Sequence, residues 1–324
     1  MNATVAMQRA IEISQFGLGK TKGNPIVGAV IFDEAGIISE GFHQSGPHAE
    51  VVAINNAKKD LTGASIAVSL EPCNHQGKTP PCTDALIASG IKKVYFAVKD
   101  PNEIASGGAE KLKAAGIEVE SGLLESDAAF ANRAWLSSIK LNRPYFTWKV
   151  AITLDGKIAA SDGSSKWISN ESSRAYVTTM RNQSDAILVG TGTVLNDNPN
   201  LVSGNKALRV AVGNREIDPA SNIADNRTPF YHHKSRDLAA LVMELKSRDV
   251  VNVLVEAGPT LGSAFIKAGL VDEIAIFTAP KLLGAGSSFV GDLGISNIAD
   301  ALNLNLIESQ NFDGDLFNRY QVVR

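Results

Sequence analysis

Four residues, His48, Glu50, Cys73 and Cys82, constrain this chain most, because their chemistry makes sense only if the fold brings them together. Cys73 and Cys82 are the only cysteines in 324 residues, and both lie in "EPCNHQGKTPPC". They could be a disulfide, two buried fillers or two legs of a metal site. The N-terminus "MNATVAMQRAIEISQF" lacks a signal-peptide core and no apolar run reaches membrane-spanning length, so a cytoplasmic location is expected. That compartment keeps thiols reduced, which favours chemistry over a disulfide. Upstream, "GPHAEVVAI" supplies His48 and Glu50. One histidine and two thiolates leave a fourth position open on a tetrahedral zinc for water, whose pKa the metal lowers. Glu50, two residues on, is a candidate to accept a proton from that water. Residues two apart in a helix point roughly 200° away from each other. His48 and Glu50 can therefore share a site only where a helix begins, and Pro47 suits such a start. Cys82 likewise follows Pro80 and Pro81 at a helix opening, where the dipole favours thiolate. Two helix N-termini are thus expected to aim at one metal.

The length allows two domains, each with its own core. Hydrophobic content is 44% and charged content 20%, ordinary for a soluble globular protein. A formal charge of −3 without a basic tract argues against a nucleic-acid or anionic-membrane binder, and leaves room for small phosphorylated ligands. Residues 3–19 carry helical apolar spacing, and "PIVGAVIFD" and "GIISEGFH" read as strands. Helix and strand then alternate through "HAEVVAINNAKK", "SIAVSL", "PPCTDALIASG", "KKVYFAV", "GAEKLKAAG" and "IEVE", ending in one helix, "SDAAFANRAWLSSIK". This predicts a layered α/β domain over 1–143. From 144 to 324, strands are expected at "YFTWKVAI", "DAILVG", "LRVAVG", "VVNVLVEAG" and "VDEIAIFTAP", with helices near 170–183, 235–248 and 258–268. "LNLNLIESQ" and "DLFNRYQVVR" should close the chain as an antiparallel hairpin, giving a mixed sheet.

The order H-x-E, then P-C, then C is the pattern of the cytidine-deaminase type of zinc site. In its common form two residues separate the cysteines, whereas here eight intervene. That insert, "NHQGKTPP", hangs His75, Lys78 and Thr79 at the mouth of the expected pocket, and Lys78 suits a phosphate. In the second half, "VEAGPTL" and "ILVGTGTVLNDNP" are glycine-bearing turns after strands, where open α/β sheets place ligands and where backbone N–H groups meet anions.

Taken together, "HAEVVAI", "LEPCNHQGKTPPC", "DPNE", "TLDGKIA", "SKWIS", "ILVGTGTVLNDNPNL", "VEAGPTL" and "APKLLG" resemble, in order, the bifunctional deaminase-reductase family of riboflavin biosynthesis. The resemblance implies a cytidine-deaminase-like three-layer domain followed by a dihydrofolate-reductase-like α/β domain. It implies zinc on His48, Cys73 and Cys82, with Glu50 as proton shuttle. Asn24, His75, Lys78, Thr79, Asp100 and Asn102 would meet the deaminase substrate, a phosphoribosylaminopyrimidine. It further implies NADPH against Ala151, Trp167, Thr193, Asp197, Gly258, Pro259, Thr260 and Leu261. Ser165, Arg181, Leu201 and Glu256 would meet the reductase substrate, and a homo-oligomer, dimer or tetramer, is expected. In the first half Glu103 of "DPNE" departs from the family's "DPNP"; in the second, Gly204 stands where an arginine is expected, and Gly213-Asn214 replaces Asp-Ser, with Arg215 as a nearby cation. An active deaminase with a degenerate reductase, and a zinc-stabilised nucleotide-binding protein, are the competing readings.

Overall fold

The apolar runs of the sequence become two separate sheets in a computed structural model that describes residues 1–76, 80–102 and 107–324. The chain divides into two units, Met1–Asn142 and Arg143–Arg324. In chain order, the first unit holds α1 (Ala3–Ser14), β1 (Gly28–Asp33), β2 (Gly36–Phe42), α2 (Ala49–Asn56), β3 (Ser65–Leu70) and α3 (Cys82–Ala88). It continues through β4 (Lys93–Val98), α4 (Gly108–Ala114), β5 (Glu118–Ser121), α5 (Glu125–Ala131) and α6 (Arg133–Leu141). The strands lie in the order β2-β1-β3-β4-β5. β1 is antiparallel to both β2 and β3, while β3, β4 and β5 are parallel.

Two glycines show how helices cover both faces. A Cβ on Gly28 would lie 2.0 Å from the Ala10 carbonyl oxygen, so α1 rests directly on β1 there. A Cβ on Gly41 would lie 2.4 Å from the Ala49 carbonyl oxygen, so α2 rests on β2. Gly41 pairs with Ala29, the neighbour of Gly28, and successive strand residues point to opposite faces. α1 and α2 therefore cover opposite sides of the sheet, giving the expected three layers.

One expected helix proved to be two. The run from 126 to 140 breaks at Asn132, whose backbone (φ −102°, ψ 17°) leaves helical geometry. Its side-chain oxygen accepts from the buried Ile26 N–H at 3.2 Å, so the interruption joins the helical layer to the segment entering β1.

The second unit holds β6 (Tyr145–Thr153), β7 (Lys157–Ala159), α7 (Glu171–Asn182), β8 (Ala186–Gly190), α8 (Thr191–Asp197), β9 (Leu208–Val212) and β10 (Phe230–His233). It ends with α9 (Leu238–Ser247), β11 (Asn252–Val255), α10 (Pro259–Lys267), β12 (Glu273–Ala279), β13 (Ser287–Ser288), β14 (Leu304–Phe312) and β15 (Asp315–Val322). Its sheet runs β10-β9-β8-β11-β6-β12-β15-β14. The first six strands are parallel, and β15 and β14 close the sheet antiparallel, as the mixed-sheet expectation requires. The sequence reading missed β10, the short β7–β13 pair and α8, which it took as a turn. "FYHH" carries no apolar alternation; tertiary partners hold it, with His232 Nε2 3.0 Å from the Gly213 carbonyl and His233 Nε2 2.9 Å from that of Asp237.

Trp148 of β6 is the anchor on the α10 side. It is fully buried, and its Nε1 donates to the Ala257 carbonyl at 3.0 Å, which fixes the turn leading into α10. A Cβ on Gly262 would fall 2.1 Å from the indole ring. Gly262→Ala should therefore force a shift costing about 1–3 kcal/mol or more. Thermal unfolding should show a lower Tm, while Gly258→Ala, whose Cβ meets nothing within 4 Å, should leave it nearly unchanged.

Candidate functional site

His48 is the N-cap of α2 and Cys82 the first residue of α3, so both helices open onto one point. His48 Nδ1 lies 3.2 Å from Cys82 Sγ and 3.4 Å from Cys73 Sγ. The Cys82 N–H donates to Cys73 Sγ at 3.4 Å, and all three donor atoms fall within 4.8 Å of one another. Ligands ~2.0–2.3 Å from a tetrahedral zinc stand roughly 3.3–3.8 Å apart, so this nitrogen–sulfur set fits the ion closely. Glu50 follows in the first turn of α2 and is only 3% exposed.

The residues around the cysteines hold their backbone in place. The Glu71 carboxylate accepts from the Asp100 N–H at 3.3 Å and the Ala109 N–H at 3.1 Å. A Cβ on Gly108 would lie 1.9 Å from the Pro72 carbonyl oxygen, so α4 begins against the "EPC" segment itself. The Thr83 N–H donates to the Cys73 carbonyl at 3.3 Å and joins the two cysteine-bearing stretches. Asp100 in turn caps its own loop, accepting from the Asn102 N–H at 2.8 Å.

Electrostatics in this pocket separate the groups by role. Burial first, and the nearby Cys73 second, push the Glu50 carboxyl up to about 7. The hydrogen bond between the two thiols pulls Cys73 well down, and the same hydrogen bond, with burial, pushes Cys82 up. His48 is raised, chiefly by its hydrogen bond to Cys73. Burial also raises Asp100.

A second cluster lies at the end of β11. Arg181 of α7 grips Glu256 with a two-pronged ion pair, Nε to Oε1 at 2.6 Å and Nη2 to Oε2 at 2.9 Å. Burial would raise Glu256, yet Arg181 and Lys149 together hold it below the usual carboxylate range. Burial lowers Lys149 on β6. The turn Gly258, Pro259, Thr260, Leu261 opens α10, and a Cβ on Gly190 would lie 3.6 Å from Leu261 Cδ2. The two glycine-bearing turns are thus neighbours at the carboxyl ends of adjacent strands, a cradle that fits a dinucleotide pyrophosphate.

Residues 2–98 match the cytidine and deoxycytidylate deaminase zinc-binding region, and residues 144–317 match the RibD C-terminal domain. RibD of Mycobacterium tuberculosis H37Rv is 45% identical over 309 residues, covering 92% of this chain and 91% of the relative. RibD of Escherichia coli K12 is 35% identical, covering 96% of each. A Thermotoga maritima diaminohydroxyphosphoribosylaminopyrimidine deaminase/5-amino-6-(5-phosphoribosylamino)uracil reductase superposes with a TM-score of 0.92 at 35% identity, covering 99% of each chain. The chain belongs to the RibD family. It is an enzyme of riboflavin biosynthesis with a deaminase and a reductase activity, using zinc and NADPH.

The RibD-type residues expected from the sequence fall as follows. Lys78 and Thr79 lie outside the described residues. Asn24 is exposed and donates through Nδ2 to the Thr21 carbonyl at 3.0 Å. His75 Nδ1 is buried without a partner among the described residues. Ala151 sits on β6 opposite Phe277 of β12. Ser165 accepts through its carbonyl from Ile168, and Trp167 is 64% exposed with the Arg174 guanidinium 4.5 Å from its ring. Thr193 and Asp197 lie on α8, with Asp197 4.0 Å from Lys166. Leu201 is buried with a left-handed backbone (φ 48°).

Two neighbours escaped the sequence reading. His43 packs edge-on against His48 with ring centroids 5.3 Å apart, and its Nε2 is buried and unpartnered among the described residues. Lys149 faces Glu256 and Arg181 from β6. A histidine at the end of "GIISEGFH" and a lysine inside the otherwise apolar "YFTWKVAI" were the available signals.

Because the folded-state value of Glu50 lies above its usual 4.5, its contribution favours the metal-free fold fully below about pH 4.5 and is lost as pH rises through about 7. Melting the metal-free parent and Glu50→Gln across that range should show the parent losing stability relative to the variant as pH rises, because the variant lacks this titration.

Proposed function

We propose that residues 1–143 deaminate 2,5-diamino-6-(5-phosphoribosylamino)-4(3H)-pyrimidinone and that residues 144–324 then reduce the ribosyl side chain of 5-amino-6-(5-phosphoribosylamino)uracil to ribityl. The convergence of His48, Cys73 and Cys82 beside a buried Glu50 carries the first half of this reading. These three side chains hold the zinc, which when bound acidifies a water at its open position. Glu50, raised to about 7 by burial, is suited both to accept a proton and to return it to the departing amine near neutral pH. Asn24, His75, Asp100 and Asn102, with Lys78 and Thr79, would orient the pyrimidine and its ribose phosphate. His75 Nδ1, buried and without a partner among the described residues, is available to a ligand hydrogen bond.

In the second half, NADPH supplies a hydride when bound, and the turn 258–261 with Ala151, Trp167, Thr193 and Asp197 would hold it. Glu256, kept ionised by Arg181 and Lys149, can accept hydrogen bonds from sugar hydroxyls, and Ser165 and Leu201 would border the substrate. One observation favours an active deaminase with a degenerate reductase instead. Gly204, where the resemblance leads one to expect an arginine, offers its backbone N–H to Asn182 Oδ1 at 2.7 Å and no side chain to a phosphate. We place the enzyme in the cytoplasm as a homo-oligomer. The long edge strand β14, with Leu304 and Leu306 exposed, is the candidate contact between copies.

Glu50→Gln should retain zinc and lose deamination by roughly 10²–10⁴-fold, whereas His48→Ala should lose the metal. Zinc content and mass analysis of products from the diaminopyrimidine decide this. Zinc bound without any deamination in the parent chain would leave only a zinc-stabilised binding protein, and unchanged deamination in Glu50→Gln would remove Glu50 from the proton-shuttle role. Supplying NADPH should convert the deaminated product to its ribityl form; no turnover beside an intact deaminase favours the degenerate reductase.

A further inference from the structure

Arg209 is a charged side chain with no exposed surface, set in a short apolar strand, β9. A buried guanidinium is tolerated only where hydrogen bonds and a counter-charge replace water. Its two terminal nitrogens reach five oxygens. Nη1 donates to the carbonyls of Asn200 and Asn222, both at 3.2 Å, and to Asp225 Oδ1 at 2.9 Å. Nη2 donates to the carbonyls of Asp225 and Thr228, both at 2.6 Å. These oxygens belong to two stretches of chain, one following α8 and the other preceding β10.

The two stretches are also knitted directly. The Asn222 N–H donates to Asn198 Oδ1 and its Nδ2 donates to the Asn198 carbonyl, both at 2.8 Å. Asn198 and Leu201 both have left-handed backbones, with φ 43° and 48°. A leucine stays in that conformation only where its surroundings over-determine it. The Leu201 side chain packs with Val194 and Ile223, and the Arg209 fork holds the carbonyl just before it.

We infer that Arg209 is a positioning residue of the reductase site. Its fork, braced by Asn222, fixes the 198–201 segment so that Leu201 meets the pyrimidine substrate. A lysine offers a point charge and cannot span both stretches as the planar fork does. The inference rests on the reading that Leu201 borders the substrate.

The test uses the full zinc-loaded chain carrying Arg209→Lys, Asn222→Ala or Leu201→Gly, with both activities measured in each preparation. Deamination and zinc content should match the parent. In Arg209→Lys the KM for 5-amino-6-(5-phosphoribosylamino)uracil should rise roughly ten- to hundredfold, with kcat changing far less. Asn222→Ala should show a smaller rise. An unchanged KM in folded Arg209→Lys, or a loss confined to kcat as a smaller folded fraction would give, overturns the inference. Should Arg209→Lys fail to fold, Asn222→Ala decides alone: a raised KM supports the inference and an unchanged KM overturns it. An unchanged KM in Leu201→Gly sinks the underlying reading and the inference with it. A raised KM there, beside unchanged values in the other two variants, sinks the inference alone.

Discussion

Everything in the first unit depends on three donor atoms from two helix starts and a loop meeting within 4.8 Å. Such a meeting needs backbones closer than ordinary side chains allow. Gly41 lets α2 lie on β2, and Gly108 lets α4 press on Pro72, so the histidine and the cysteines are presented from rigid supports. Glu71 adds a buried carboxylate that ties the "EPC" segment to the loop after β4 and to the first turn of α4. The same packing that excludes water raises Glu50, so the architecture and the acid–base chemistry share one cause.

The second unit solves a different problem, holding charge at the ends of parallel strands. Arg181, Glu256 and Lys149 form a partly buried set in which burial and ion pairing oppose each other, and pairing decides that Glu256 stays ionised. Trp148 and Gly262 fix α10 against the sheet, and thereby the turn before it. Arg209 does for the 198–201 segment what Trp148 does for that turn, by hydrogen bonds in place of packing.

Much of this was legible in the chain. Most strands of the two large sheets stood out as apolar runs or alternating segments, and the prolines before His48 and Cys82 marked helix starts that the structure contains. What escaped lacks local periodicity. β10 is a strand because parallel pairing with β9 satisfies it, and the break at Asn132 exists because Ile26, far away in sequence, needs an acceptor. His43 and Lys149 were missed for the same reason, since only the fold puts them beside His48 and Glu256.

The sequence by itself determined the donor set, the layered α/β class of both halves and the family, because residue type and order carry those directly. Only the tertiary structure decided which groups stay charged, since burial and partners arrive through long-range contact. It alone showed Glu50 raised, Glu256 held ionised, and Arg209 spent on carbonyls that no local pattern assigns to it.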